Sequence, residues 1–170
     1  TTLFRSILVN IGDDKPVLVA NPSAVLGVDE DALTGANAAD SDGAISPVQL
    51  SNSIALAGNV FAIGADQPGA IAWTGGAIAA LNALNLTSGG LPVTFTADAT
   101  GTILTGATTG GPVLVLTLTP AGTLSVQLAD QIDHADTPDN VETNYVLDLS
   151  ALIAATDKDG DSINAPAGTI

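Results

Sequence analysis

The chain has 170 residues, of which 46% are hydrophobic, 12% are charged and none is cysteine. This composition allows one sizeable domain with a core, and the lack of cysteine excludes disulfides and thiolate metal sites. The net charge is −15, with only three basic residues, so the protein is unsuited to nucleic acid or anionic membranes. No apolar run reaches the length of a membrane helix, and we expect no membrane insertion.

The first predicted strand is Ser6–Ile11, and a Gly-Asp-Asp-Lys-Pro turn ends it. The turn carboxylates, Asp13 and Asp14, indicate either a joint that shares a cation with a neighbouring module or an ordinary hairpin loop. We therefore divide the chain into two parts. Residues 1–16 are a strand and joint that either end a preceding module or complete a split domain, and residues 17–170 form the main domain.

Short strands separated by turn residues are predicted along the rest of the chain. They lie at Val17–Ala20, Ile54–Leu56, Val60–Ile63, Ala70–Trp73, Leu91–Thr96, Thr102–Leu104 and Asn144–Leu149. Residues 75–86 fit a short helix or a strand equally well. The clearest pattern is at residues 111–128, where alternate leucines on either side of a Pro-Ala-Gly turn predict an antiparallel hairpin. About ten evenly spaced strands indicate an all-β antiparallel sandwich with Greek-key-like connections.

Carboxylates at alternate positions near the C-terminal end predict a calcium site. Asp157, Asp159 and Asp161 project to one side of an extended or turning backbone, and Gly160 permits a sharp turn between them. The loop of helical calcium sensors requires Gly at position six and Glu at position twelve, which this segment lacks. A solvated Asp-rich turn without an ion is the alternative. Asp29 and Asp31 repeat the alternate spacing and are the second candidate pair of ligands.

The order of these motifs resembles the Ig-like repeat modules of large RTX-type adhesins, which bacteria export by type I secretion. The segments that carry the resemblance extend from residue 17 to residue 161 and include Val28–Asp31, Gly64–Asp66, Leu86–Val93, Gly101–Gly106, Ile132–His134 and Ala155–Asp161. The resemblance implies an Ig-like β-sandwich stabilised by Ca²⁺. It also implies an extracellular spacer or scaffold at the bacterial cell surface, in adhesion or biofilm formation. Its partners would be neighbouring modules of the same adhesin and an inserted or adjacent ligand-binding domain.

Catalysis is not expected. His134 is the only histidine, and the sequence contains neither a Gly-x-Ser-x-Gly elbow nor a His-Glu-x-x-His pair. Two alternative functions stay open. One is calcium-dependent carbohydrate binding, against which the scarcity of aromatic residues counts. The other is self-association, in which strand 7–11 of a neighbouring copy fills an exposed sheet edge.

Overall fold

The computed structural model describes residues 10, 12–36, 47–134 and 144–170. Within these ranges the chain is mostly β-structure in several antiparallel sheets, with one short α-helix. The strands are β1 (Val17–Leu18), β2 (Ser51–Ala55), β3 (Phe61–Ala62), β4 (Ala70–Trp73), β5 (Thr87–Ser88), β6 (Leu91–Pro92), β7 (Thr94–Ala97), β8 (Ile103–Thr108), β9 (Gly111–Leu118), β10 (Thr123–Leu128), β11 (Ile153–Thr156) and β12 (Ser162–Asn164). The helix is α1 (Ala77–Ala83), and 3-10 turns lie at Glu30–Ala32 and Ser150–Leu152.

The largest sheet has five strands in the order β2-β10-β9-β8-β7. At its centre, β9 and β10 form the hairpin that the leucine pattern predicts, with Leu124 opposite Leu118 and Leu128 opposite Leu114. Alternate side chains point to opposite faces of a strand, so these leucines share one face, and all four are buried. The prediction of an antiparallel hairpin at residues 111–128 is confirmed.

A three-stranded sheet, in the order β12-β11-β4, contributes to the same hydrophobic core. Ile71 on β4 and Ile153 on β11 are fully buried, in one cluster with Leu116 and Phe95 of the five-stranded sheet. The Trp73 indole N–H donates to the Thr102 carbonyl over 3.2 Å, which ties the edge of β4 to the start of β8. The pairs β1-β3 and β5-β6 complete the sheets of the described part of the chain.

The ambiguous segment 75–86 is helical at Ala77–Ala83. Its Ala and Leu content favours a helix, and the two buried residues, Ala77 and Leu81, are four positions apart and therefore share one helix face. Asn82 holds the helix against β7, since its side chain accepts from the Phe95 N–H at 2.7 Å and donates to the Phe95 carbonyl at 3.2 Å. No helix of the described residues has the length and hydrophobicity needed to cross a membrane.

The prediction of a strand at residues 144–149 is wrong. This segment has no regular secondary structure, and the next strand, β11, begins later, at Ile153. Asp148 supplies the physical reason. Its carboxylate accepts from the N–H groups of Ser150 at 3.0 Å and Gly168 at 2.9 Å, which turns the chain into the 3-10 segment before β11. The strand predicted at 6–11 lies outside the described residues except for Asn10.

Candidate metal centre

The loop between β11 and β12 holds the carboxylates that the sequence singled out. Asp157 follows directly after β11, and its N–H donates to the Asp161 carbonyl at 3.0 Å. Gly160, with a φ of +105°, lets the loop reverse within these five residues, since side-chain-bearing residues rarely adopt that conformation. The two antiparallel strands therefore present Asp157, Asp159 and Asp161 on one short turn.

Asp157 is the residue around which the loop is built. Only 6% of its surface is exposed, and its Oδ1 accepts from the N–H groups of Gly160 at 3.1 Å and Asp161 at 2.9 Å. Its Oδ2 is buried and has no hydrogen-bond partner in the described structure. Burying a carboxylate oxygen without a partner costs free energy, and a cation bound at this position would offset that cost.

Asp159 and Asp161 supply the remaining carboxylates of the loop and are both exposed. One oxygen from each of the three residues lies within 4.8 Å of the other two. Two oxygens on opposite sides of a Ca²⁺ ion are separated by about 4.6–5.2 Å, twice the usual Ca–O distance. The three carboxylates therefore fit one coordination sphere of that size, with open positions toward solvent.

A second group of carboxylates shares one member with the first. Asp13, Asp66 and Asp159 also bring one oxygen each within 4.8 Å of one another. Asp13 comes from the turn before β1 and Asp66 from the loop between β3 and β4, so the three ligands are distant in sequence. Asp159 belongs to both groups and is placed to bridge two cations or to join both groups around one.

Sequence reasoning included Asp13 but did not identify Asp66 as a ligand. The segment Gly64–Asp66 was recognisable only as part of the family resemblance, because a single Asp in a glycine-containing loop carries no spacing signal. Its position depends on tertiary contacts. The Lys158 N–H donates to the Asp66 carbonyl at 3.3 Å, which joins the two loops next to the carboxylates.

Asp14 has a different role from Asp13. Its Oδ2 accepts a hydrogen bond from the Ala65 N–H, and a Cβ added at Gly64 would lie 2.5 Å from the same oxygen. The groups of three acidic residues found in the described structure do not include Asp14. We interpret Asp14 as the residue that fastens the first turn to the loop carrying Asp66, next to Asp13.

Asp29 and Asp31 lie elsewhere. Asp29 begins the 3-10 turn Glu30–Ala32, and its Oδ1 accepts from the Asp31 N–H at 3.0 Å. Within the described ranges this pair does not join a third carboxylate in a group that could hold a metal. Their alternate spacing serves a capped turn here, and their role as metal ligands stays a prediction.

Three further aspartates hold loops through their carboxylates. Hydrogen bonds from the Thr100 hydroxyl and the Ile103 N–H lower the pKa of Asp98 to about 2. The Gly90 N–H and the Thr87 hydroxyl lower the pKa of Asp133, which also accepts from the Gly89 N–H. The Ser150 hydroxyl lowers the pKa of Asp148. Hydrogen bonds to the charged form favour ionisation, so these groups stay ionised in mild acid.

Residues 25–168 match the family described as a domain of unknown function (DUF5801). The chain belongs to the DUF5801 family. No curated protein and no solved structure matches the chain. Within this DUF5801 domain, the matched residues include Asp66 and the complete loop 157–161, whereas Asp13 precedes them. One carboxylate group is therefore internal to the family domain, and the other requires a residue from the segment before it.

Proposed function

We propose that this DUF5801 chain is a calcium-stabilised structural module of a bacterial cell-surface adhesin of the RTX type, with an Ig-like β-sandwich fold. The observation that carries the proposal is the buried Oδ2 of Asp157, which has no hydrogen-bond partner and lies in a loop with two further carboxylates. Without a bound ion, an uncharged loop would fold with a smaller free-energy penalty than this group of carboxylates. The carboxylate loop becomes favourable when a cation is bound to it.

The ligand atoms favour calcium over other metals. All the candidate ligands are carboxylates, which suit hard cations such as Ca²⁺ and Mg²⁺ rather than zinc or copper. The main-chain turn leaves Asp159 and Asp161 exposed, so water is available for the remaining coordination positions. Mg²⁺ demands near-octahedral geometry at about 2.0–2.1 Å, whereas Ca²⁺ accepts flexible loops with variable ligand number.

A cation shared through Asp159 would give the module its mechanical role. Asp13 stands before β1, while Asp159 lies between the last two strands, so ions held here would fasten the beginning of the domain to its final hairpin. The chain segment before β1 would then leave the domain in one fixed direction. In a row of such modules, calcium would stiffen the joints between neighbours, and the parent adhesin would act as an extended spacer outside the cell.

The fold that we propose for this role is the Ig-like sandwich. Its support is that the five-stranded and three-stranded sheets contribute to one core, and that the strand orders β2-β10-β9-β8-β7 and β12-β11-β4 include non-sequential neighbours. Such neighbours are typical of Greek-key connections. A structural rather than enzymatic role agrees with the hydrogen bonds of Asp98, Asp133 and Asp148 to nearby loop residues.

The experiment is thermal unfolding of the full chain in EDTA, in millimolar Ca²⁺ and in millimolar Mg²⁺, followed by Trp73 fluorescence. Calcium at a hundred times its dissociation constant adds about 2.7 kcal/mol per site, or roughly 5–10 °C in a domain of this size. We expect a shift of at least this size with calcium and a smaller one with magnesium. An unchanged melting temperature in calcium would refute the proposal, and glycan screening would then test the carbohydrate-binding alternative.

A further inference from the structure

The strand β2 lies at one edge of the five-stranded sheet, and no other strand in the described part of the chain pairs with its outer side. Its five residues include no proline and no charged side chain, and its register with β10 runs without a bulge. These are features that usually protect a sheet edge from pairing with another chain. The residues that alternate along this edge are small and exposed, namely Ser51, Ser53 and Ala55.

The hydrogen bonds to β10 show which backbone groups of β2 point outward. The Leu128 N–H donates to the Leu50 carbonyl at 2.8 Å, and the Leu56 N–H donates to the Gly122 carbonyl at 2.6 Å. Residues of an antiparallel pair alternate between hydrogen-bonded and non-hydrogen-bonded positions, so the even-numbered residues of β2 bond to β10. The odd-numbered residues therefore point their N–H and carbonyl groups away from β10, namely Ser51, Ser53 and Ala55.

Asparagine side chains of the same copy hold two of these outward groups. Asn52 Oδ1 accepts from the Ser53 N–H at 2.8 Å, and Asn59 Nδ2 donates to the Ala55 carbonyl at 2.7 Å. Both hydrogen bonds are exposed, so another donor or acceptor can replace them. The remaining outward groups make no hydrogen bond within the described residues, namely both groups of Ser51, the Ser53 carbonyl and the Ala55 N–H.

The opposite edge of the sheet, β7, is covered in a way that β2 is not. Asn82 of α1 bonds to both the N–H and the carbonyl of Phe95, so its amide takes the place of a neighbouring strand. At the edge of the three-stranded sheet, the Ile71 N–H of β4 donates to the Pro120 carbonyl at 3.2 Å. The other edge strand of that sheet, β12, has only three residues. Among the described sheets, β2 is therefore the longest edge strand.

The charge distribution favours a second copy of this chain as the partner. The net charge is −15, so two copies repel each other wherever their acidic side chains meet. Residues 44–65, which include β2, contain no charged residue. One acidic residue reaches the start of the edge, since the Asp29 N–H donates to the Gln49 carbonyl at 2.9 Å. A basic partner would meet no carboxylate along β2 itself, whereas an equally acidic copy can approach there without repulsion.

The outward groups are self-complementary when a two-fold axis relates two copies at Ser53. Ser53 then faces Ser53 of the second copy, and Ser51 faces Ala55 of the second copy, each as a hydrogen-bonded pair. The bonds of Asn52 and Asn59 to the edge are exchanged for bonds between the copies. We propose that β2 is a dimerisation edge, at which β2 of a second copy pairs antiparallel and joins the two five-stranded sheets into one continuous sheet.

The short length of β2 makes this association weak. Five residues span about 17 Å of a sheet about 10 Å thick, a contact of roughly 170 Å² per copy against about 800 Å² in a stable interface. We therefore expect a dissociation constant of about 0.1–1 mM. No carboxylate of the metal centre lies on this edge, so the inference goes beyond the proposed calcium role, and either can fail while the other holds.

The first test is sedimentation of the full chain from about 10 μM to about 2 mM, in calcium and in EDTA. Ser53→Glu places like charges directly opposite each other at the axis. Ser53→Pro removes the outward N–H without removing a bond to β10 and serves if the first variant does not fold. Ser125→Glu is the matched control, because Ser125 lies opposite Ser53 on β10 and carries the same charge one strand away from the edge.

We expect the wild type and Ser125→Glu to approach the mass of two copies at high concentration, equally in calcium and in EDTA. The Ser53 variants, folded by circular dichroism, should associate at least tenfold more weakly. A wild type that stays monomeric at every concentration would overturn the proposal. It would also be overturned if Ser125→Glu weakened the association as much as Ser53→Glu, since the outer faces of the sheets would then be in contact.

The second test measures distances between the two copies. The chain has no cysteine, so Ser125→Cys and Thr117→Cys each carry a single spin label and leave β2 unchanged. Ser53, Ser125 and Thr117 lie in one row across β2, β10 and β9. Pairing at β2 therefore separates the two Ser125 positions by about 15 Å and the two Thr117 positions by about 25 Å. Pulsed electron paramagnetic resonance should show this increase of about 10 Å, and equal or reversed distances would overturn the edge-to-edge arrangement.

Discussion

Asp157 and Asp161 are joined by two reciprocal contacts, since the Asp157 N–H donates to the Asp161 carbonyl at 3.0 Å and Asp157 Oδ1 accepts from the Asp161 N–H at 2.9 Å. These bonds close the β11–β12 turn without any metal. They use one oxygen of the buried carboxylate and leave Oδ2 without a hydrogen-bond partner. The turn therefore has a fixed shape and one carboxylate oxygen that a cation can bind.

The first prediction concerns that oxygen. Asp157→Asn keeps the Oδ1 acceptor and the side-chain volume but removes the negative charge and the Oδ2 ligand. We expect calcium affinity to fall about tenfold or more, so that calcium stabilises the variant by about 1.4 kcal/mol less than the wild type at a calcium concentration well above both dissociation constants. Calorimetric titration with Ca²⁺ and melting in EDTA and in calcium measure the effect.

Asp130→Asn is the matched control for this prediction. Asp130 is exposed, bonds to the neighbouring Gln131 N–H at 2.9 Å and belongs to neither carboxylate group. Its substitution should leave the calcium-dependent shift unchanged. Equal shifts in the wild type and in Asp157→Asn would show that the loop does not bind the ion.

The second prediction concerns the attachment of the first turn. Gly64→Ala and Gly58→Ala both place an alanine at a positive φ, +90° and +84° respectively, so each carries similar backbone strain of about 1–3 kcal/mol. A Cβ at Gly64 would also collide with the Asp14 carboxylate, whereas nothing lies within 4 Å of a Cβ at Gly58. We expect Gly64→Ala to lower calcium affinity as well as stability, because moving Asp14 also moves Asp13.

Calcium titration of the two alanine variants in parallel provides the measurement. Gly58→Ala should be destabilised but retain the wild-type calcium affinity. The same affinity for both variants would mean that the position of Asp14 has no influence on the metal centre.

The third prediction concerns a substitution in the hydrophobic core whose effect on stability should not depend on calcium. A Cβ at Gly106 would lie 2.8 Å from two atoms of the Phe95 ring, and Phe95 is 1% exposed. Gly106→Ala should therefore lower the free energy of unfolding by about 1–3 kcal/mol through overpacking. Urea unfolding should show this loss equally in EDTA and in calcium. Gly110→Ala, where the nearest atom is 3.4 Å away, is the control and should change stability by much less.

The fourth prediction is that acid removes the stability contributed by the ionised Asp98 carboxylate. Asp98 has a pKa of about 2 in the folded chain against an ordinary value of 3.8, mainly because of the Thr100 hydroxyl. A lowered folded-state pKa gives stability that is fully present above about pH 4 and is lost as the pH falls through about 2. Asp98→Asn should flatten the dependence of stability on pH between these values.

Urea unfolding of wild type, Asp98→Asn and Asp130→Asn at several pH values in EDTA checks this dependence. Because EDTA removes calcium, protonation of the candidate calcium ligands cannot alter stability by releasing the ion. Identical slopes for the wild type and Asp98→Asn would contradict the role of the Thr100 hydrogen bond.

The sequence determined those features that depend on residues close together in the chain. The alternate leucines fixed the hairpin at residues 111–128, because a strand has a period of two. Likewise, the alternate carboxylates of Asp157, Asp159 and Asp161 came together because a single turn of five residues holds them. Asp29 and Asp31 have the same alternation but lie in a capped 3-10 turn, because local spacing does not reveal which main-chain groups a carboxylate will contact.

Only the tertiary structure decided the features that join distant segments. Asp66 approaches Asp13 and Asp159 because the loop after β3 packs against both the first turn and the last hairpin, and no sequence period encodes that meeting. The segment 144–149 reads as a strand from its apolar residues, but the bonds of Asp148 to Ser150 and Gly168 turn it away from a sheet. Local propensity is weak compared with such contacts, so the sequence alone specifies the hairpins and the acidic turn, whereas long-range packing brings Asp13, Asp66 and Asp159 together.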